Sequence, residues 1–173
     1  IAGDRCLVPD DGTFSPGDGS ASPLRSVLAW ERVARAHGAS FHYNEKVTDV
    51  LVDHGKVRGV RTDKGTYYSD VVINAAGAWA RELGAMAGIR VPVQPESHEG
   101  GITEPVARFL KPMIVDIRPA EGSANYYFYQ HYTGQIIFCI TPDPPITGID
   151  RRETSVFLPQ VAQRMLSIMP RLQ

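Results

Sequence analysis

The stretch Val71-Val72-Ile73-Asn74-Ala75-Ala76-Gly77-Ala78-Trp79 constrains what this chain can become more than any other. Three β-branched residues in a row, without polar alternation, predict a strand covered on both faces, as in the middle of a layered α/β sheet. Side-chain bulk then vanishes at Ala75, Ala76, Gly77 and Ala78, which lets another group approach the backbone. Trp79 to Met86 reads as a short helix ending near Gly84 or Gly88. A strand that enters a helix through a glycine turn leaves unpaired amides and the positive helix end facing outward, which suits an anion such as a phosphate. A tight packing turn accounts for the same residues, and the stretch by itself leaves both readings open.

The remainder of the chain supplies elements on either side of this stretch. Ser22 followed by Pro23 is a helix N-cap with proline at the first helical position, and the helix is expected to run to His37, where Gly38 stops it. Its charged residues Arg25, Glu31, Arg32 and Arg35 fall on one side, leaving Val27, Trp30, Val33 and Ala34 to face a core. Strands are expected at Ala39 to Tyr43, Val47 to Val52, Lys56 to Thr62 and Thr66 to Tyr68. Turns at Asp53-His54-Gly55 and Asp63-Lys64-Gly65 make the last three an antiparallel meander. Before the first helix, Gly3 to Gly19 reads as loop with a short strand at Cys6 to Val8.

Beyond Gly88 the pattern shifts. Val91-Pro92-Val93-Gln94-Pro95 is an extended crossing segment, and residues up to Arg118 read as short strands broken by a loop near Pro105 to Pro112. An aromatic strand, Tyr126 to Tyr132, turns at Thr133-Gly134 into an apolar strand, Gln135 to Ile140. Three prolines make Thr141 to Asp150 a loop, and Ser155 to Met169 is the last helix. The expected fold class is α/β to α+β. A layered α/β unit with a β-meander occupies residues 1–90, and a mainly antiparallel subdomain occupies residues 91–173.

Among 173 residues, 43% are hydrophobic and 21% charged, with a net charge of -1, so a core is affordable and no nucleic-acid surface is signalled. No apolar run approaches the roughly 20 residues of a membrane span. The chain starts Ile1-Ala2-Gly3 with no export leader, so an internal segment of a longer protein is expected. Cys6 and Cys139 fit neither metal nor CxxC spacing, which favours free thiols in a reducing compartment, the cytoplasm.

His37, His42, His54, His98 and His131 show no metal-ligand clustering, and the chain holds no GxSxG, P-loop or GxGxxG pattern. The unusual feature is Tyr126-Tyr127-Phe128-Tyr129-Gln130-His131-Tyr132. As a strand it places Tyr127, Tyr129 and His131 on one face and Tyr126, Phe128, Gln130 and Tyr132 on the other. A face of hydroxyls and imidazole suits a pocket for a small polar ligand; ordinary aromatic packing is the competing reading.

Four segments in order give this chain a resemblance to a known family. They are Thr13 to Gly19 with Ser22-Pro23-Leu24 opening a helix that ends His37-Gly38-Ala39; Lys46-Val47-Thr48-Asp49-Val50; Val71 to Trp79 followed by Val91 to Pro95; and the tyrosine hairpin with its final helix ending Met169-Pro170. Together they resemble the D-amino-acid-oxidase-like FAD-dependent oxidoreductases, which include glycine oxidase, sarcosine oxidase and dimethylglycine dehydrogenase.

The resemblance implies that FAD adenine meets the backbone around Lys46 and Val47, and that Ala75, Ala76, Gly77, Ala78 and Trp79 lie near its diphosphate. It implies that Tyr127 and Tyr129, with His131 on the same face, line a pocket for a small amine or amino acid of the glycine or sarcosine type. The family's GxGxxG fingerprint has no counterpart in these residues, so FAD binding by this chain alone is expected to be weak or absent, and turnover with it. Sarcosine-type oxidases place an oxygen-activating lysine on the strand after the hairpin. Here that strand offers Ile136, Ile137, Phe138, Cys139 and Ile140, which implies a dehydrogenase passing electrons to a separate acceptor or partner subunit. Rival readings are a relative acting on a hydroxyl, such as a glycerol-phosphate dehydrogenase, a tRNA-modifying relative, and a non-catalytic module.

Overall fold

The structure is a computed structural model and describes residues 12–17 and 19–170. The strand expected at Cys6 to Val8 lies outside the described residues, as does most of the N-terminal loop. The described residues divide into two compact units, one spanning residues 17–94 and the other residues 95–170 together with 12–16. The fold is mixed α/β, with all sheet pairing antiparallel.

The first unit opens with helix α1, Pro23–Ala36. Ser22 Oγ accepts from the Arg25 amide at 3.4 Å and Pro23 occupies the first turn, where its missing N–H costs nothing. Gly38, at φ 89°, ends the helix by entering the left-handed region. Strands β1 (Val47–Asp53), β2 (Lys56–Thr62) and β3 (Thr66–Tyr68) form a meander in the order β1-β2-β3. Asp53 pairs with Lys56, so the first turn is the two residues His54 and Gly55, both at positive φ (47° and 75°), a backbone that matches the twist of paired strands. At the second turn Thr62 Oγ1 accepts from the amides of Lys64 (3.1 Å) and Gly65 (2.9 Å). A 3-10 turn, Gly77–Trp79, then leads into α2, Ala80–Met86.

Three expectations for this unit are corrected. Val71 to Ile73 belongs to no strand, and it is not covered: Val71 is 70% and Ile73 83% exposed. Ala39 to Tyr43 is likewise outside any strand. A strand exists only through its ladder partners, and among the described residues none runs beside either segment; β-branched composition expresses a fit to a sheet that has to be supplied. The apolar stripe of α1 is exposed for the same reason, with Trp30 at 75% and Val27 and Val33 also exposed. An amphipathic helix buries its stripe only against a second layer.

The second unit contains β4 (Gly100–Ile102), β5 (Ile114–Asp116), β6 (Ser123–Gln130) and β7 (Ile136–Pro142) in the order β4-β7-β6-β5, followed by α3, Phe157–Ile168. One face of this sheet and α3 enclose a core of Leu110, Tyr126, Phe128, Ile136, Phe138, Ile140, Phe157, Val161, Ile168 and Met169. Gln130 is buried with that core, and its amide is fully used. Oε1 accepts from the amides of Phe109 (2.9 Å) and Leu110 (3.1 Å), while Nε2 donates to the carbonyls of Val106 (3.3 Å), Ala107 (3.2 Å) and Gly134 (3.0 Å). One side chain thereby satisfies the backbone of the loop that joins β4 to β5.

Gly59 fixes how closely β2 meets β3. It sits at φ 144°, and a Cβ there would lie 2.0 Å from the Tyr67 carbonyl oxygen, which is backbone and has nowhere to go. Gly59→Ala is therefore expected to cost about 1–3 kcal/mol, read as a lower urea midpoint with an unchanged m-value; an unchanged midpoint would show that the meander relaxes freely.

Candidate functional site

Two surfaces carry the residues singled out from the sequence, one in each unit. In the first unit the bend from Ala75 to Trp79 is held by Asn74, whose Oδ1 accepts from the Ala76 amide at 3.2 Å and whose Nδ2 donates to the Ala80 carbonyl at 2.9 Å. The Trp79 amide donates to the Ala76 carbonyl at 3.0 Å, and Gly77 takes φ 53°. The amides of Gly77 and Ala78 have no acceptor among the described residues. Ala75, Gly77 and Trp79 are exposed, and a Cβ on Gly77 would meet nothing within 4 Å, so no side chain seals the bend. A bend of small residues with outward amides can receive a negatively charged group.

Lys46 and Val47 lie at the entry to β1. Lys46 has both backbone groups engaged by Asp63: its amide donates to Asp63 Oδ1 at 3.0 Å and its carbonyl accepts from the Asp63 amide at 3.0 Å. Beside them is a cluster that sequence reasoning missed. The Glu45 carboxylate accepts from Thr62 Oγ1 at 2.6 Å and from the Tyr67 hydroxyl at 2.9 Å, and His42 Nδ1 lies 3.2 Å from that hydroxyl. The Thr62 hydroxyl, then the Tyr67 hydroxyl, hold the Glu45 carboxyl below its usual range, against the opposing effect of burial. The hydrogen-bonded partners are 17 to 25 positions apart, so no local pattern advertises them.

In the second unit the site is the sheet face opposite α3. Burial along β6 alternates, with Tyr126, Phe128 and Gln130 buried and Tyr127 and Tyr129 half-buried. Ladder pairing sets Tyr127 between Cys139 of β7 and Val115 of β5, and Cys139 beside Gly100 of β4; one step along, Tyr129 faces Ile137, which faces Ile102. The two hydroxyls therefore stand on an uncharged wall of aliphatic side chains. Hydrogen bonding with the Cys139 sulfur, then burial, then the nearby Cys139 and Tyr129 groups push the Tyr127 hydroxyl up to about 12. It stays a neutral hydroxyl across the physiological range. Cys139 itself is free and buried.

His131 falls just past the end of β6, in the hairpin turn. Its Nδ1 lies 2.6 Å from Thr133 Oγ1, which also donates to Gln135, and its ring sits 4.2 Å from that of Tyr132. It is held at the hairpin tip, at the rim of the wall rather than on its ladder. Among the described residues no group of three His, Cys, Asp or Glu side chains is gathered to hold a metal, and no helix is long and apolar enough to cross a membrane.

Residues 5–173 match the family DAO, FAD dependent oxidoreductase. This chain belongs to that family. It is similar to the mitochondrial dimethylglycine dehydrogenase of Mus musculus, with 34% identity over 125 residues, covering 71% of this chain and 14% of the mouse enzyme. It is also similar to the hydrogen cyanide synthase subunit HcnC of Pseudomonas aeruginosa, with 32% identity over 158 residues, covering 90% of this chain and 36% of that subunit. Among solved structures, the L-proline dehydrogenase from P. horikoshii superimposes with a TM-score of 0.79 and 31% identity over 91% of this chain and 41% of that one. The chain thus spans less than half the length of each of these relatives.

The raised Tyr127 hydroxyl makes a pH prediction. A group whose pKa is higher folded than unfolded contributes stability that is fully present below the unfolded value and is lost as pH rises through the folded one. Part of the chain's stability should fall between pH 10 and about 12. Urea titrations across that window should show a smaller fall for Tyr127→Phe; an identical pH profile would mean that Tyr127 titrates normally.

Proposed function

We propose that the protein carrying this chain oxidises the C–N bond of a small amine or amino acid of the glycine or sarcosine type, with FAD as its cofactor. The uncharged, hydroxyl-bearing face of the second sheet, in a member of this family, is the observation that carries the reading. The bend fits the cofactor: small residues and open amides at Ala75 to Trp79 would hold the diphosphate, and the backbone at Lys46 and Val47 would meet the adenine. FAD, when bound, supplies the acceptor for the hydride leaving the carbon beside nitrogen.

The chain's own residues bind and orient. The neutral Tyr127 and Tyr129 hydroxyls align the amine by hydrogen bonding, His131 borders the wall, and Val115, Ile137 and Ile102 keep water from the reacting carbon. No lysine stands on β7, which supports delivery of electrons to a separate acceptor or partner subunit rather than directly to oxygen. The buried free thiol of Cys139 supports a reducing compartment such as the cytoplasm.

Two measurements on the FAD-loaded protein test this. Sarcosine, dimethylglycine, glycine or proline should bleach the flavin absorbance anaerobically, and glycerol 3-phosphate should not; bleaching by glycerol 3-phosphate alone would replace the amine reading with the hydroxyl one. The double substitution Tyr127→Phe with Tyr129→Phe should lower kcat/KM at least several-fold, a change of about 1 kcal/mol or more in transition-state binding. Unchanged kinetics would remove both residues from the site.

A further inference from the structure

Residues 39–45 lie in no strand, yet their side chains are gripped from two sides just before the entry to β1. On one side Arg35 of α1, paired with Glu31 at 2.7 Å, holds its guanidinium 4.8 Å from the Phe41 ring, and Phe41 stacks with Tyr43 at 6.2 Å. On the other side the His42 ring lies 5.0 Å from that of Tyr67 in β3, with Nδ1 3.2 Å from the Tyr67 hydroxyl. Asn44 then takes φ 52°, so the segment enters β1 through a turn.

The anchor of this grip is Glu45, whose side chain is only 7% exposed. One oxygen, Oε1, accepts from both the Thr62 hydroxyl at the end of β2 (2.6 Å) and the Tyr67 hydroxyl in β3 (2.9 Å), while Oε2 stands 3.6 Å from His42 Nδ1. A carboxylate withdrawn from water is stable only where such bonds replace its hydration, so two strands together dictate where Glu45 sits. Lys46 follows at once, with its amide and carbonyl both engaged by Asp63 at 3.0 Å, and Val47 pairs with Thr62 in the ladder.

On the reading that adenine meets the backbone at Lys46 and Val47, we infer that Glu45 is a positioning residue for the adenosine half of FAD. It acts through the backbone next to it, and it does so by what Oε1 accepts rather than by its charge. Glutamine keeps an acceptor oxygen at that position and alanine does not. FMN has no adenosine, so its binding should not depend on Glu45.

Flavin binding to the whole protein, freed of its cofactor and without substrate, tests this by fluorescence titration. Glu45→Ala should weaken FAD roughly tenfold and FMN by less than about twofold, and Glu45→Gln should hold FAD within about twofold of the wild type. Tyr67→Phe removes one of the two bonds, leaves the carboxylate in place, and should show the same selective loss of FAD at smaller size even if Glu45→Ala does not fold. Equal weakening of both flavins, unchanged FAD binding in Tyr67→Phe, or a loss in Glu45→Gln as large as in Glu45→Ala overturns the role. A wild type that holds FAD no tighter than FMN overturns it as well. No amine enters the titration, so a flavin that amines fail to reduce would sink the amine reading and leave the role of Glu45 standing.

Discussion

Along β6, Tyr126, Phe128 and Gln130 enter the layer under α3 while Tyr127 and Tyr129 turn the other way. This period of two holds the second unit together, because a slip of one residue would move every side chain to the wrong face. Phe128, fully buried, is worth about 1.5–3 kcal/mol of hydrophobic free energy. Gln130 would leave four backbone groups of the β4–β5 loop, the amides of Phe109 and Leu110 and the carbonyls of Val106 and Ala107, without this partner if it were withdrawn. The register that satisfies the core is therefore the same register that sets two tyrosine hydroxyls side by side on the open face. Core packing and site geometry are consequences of one alternation.

What could be read from the sequence was what short-range chemistry determines. The start of α1 follows from a serine hydroxyl three residues before an amide that needs it, and its end from a glycine free to adopt positive φ. The meander follows from turn residues whose backbone preferences are local, and the faces of β6 from parity alone. The Glu45 cluster and the hold of Gln130 on the β4–β5 loop were not legible, because each joins positions about twenty residues apart through polar side chains with many alternative partners. The exposure of Val71 to Ile73 was not legible for a related reason: composition states which environment a segment suits, and burial depends on whether neighbours are there to provide it.

The β-branched residues at Val71 to Ile73 and the apolar stripe of α1 with Trp30 are exposed hydrophobic surface, and the open amides at Gly77 and Ala78 are exposed polar surface. Within the unit, the meander satisfies its own hydrogen bonds and buries only Val50 and Gly59, so the cohesion of residues 17–94 comes more from backbone pairing and turns than from a core. Side-chain hydrogen bonds at Asn74 keep the bend in shape without covering it, which is how a short segment of alanine and glycine retains a defined backbone while remaining accessible.

The sheet face opposite α3 also bears on which form of an amine it would hold. Gly100, Ile102, Val115, Ile137 and Cys139 surround the two tyrosines, and none of them carries a charge. An ammonium brought there would lose hydration with no carboxylate to replace it, a cost of several kcal/mol even after relaxation. The neutral amine loses far less and accepts a hydrogen bond from a hydroxyl that does not ionise below about pH 12. It is also the form whose nitrogen lone pair can stabilise the carbon as hydride departs. On the reading proposed here, the wall contributes by selecting the reactive protonation state, and it does so by what its side chains lack in charge as much as by the two hydroxyls they surround.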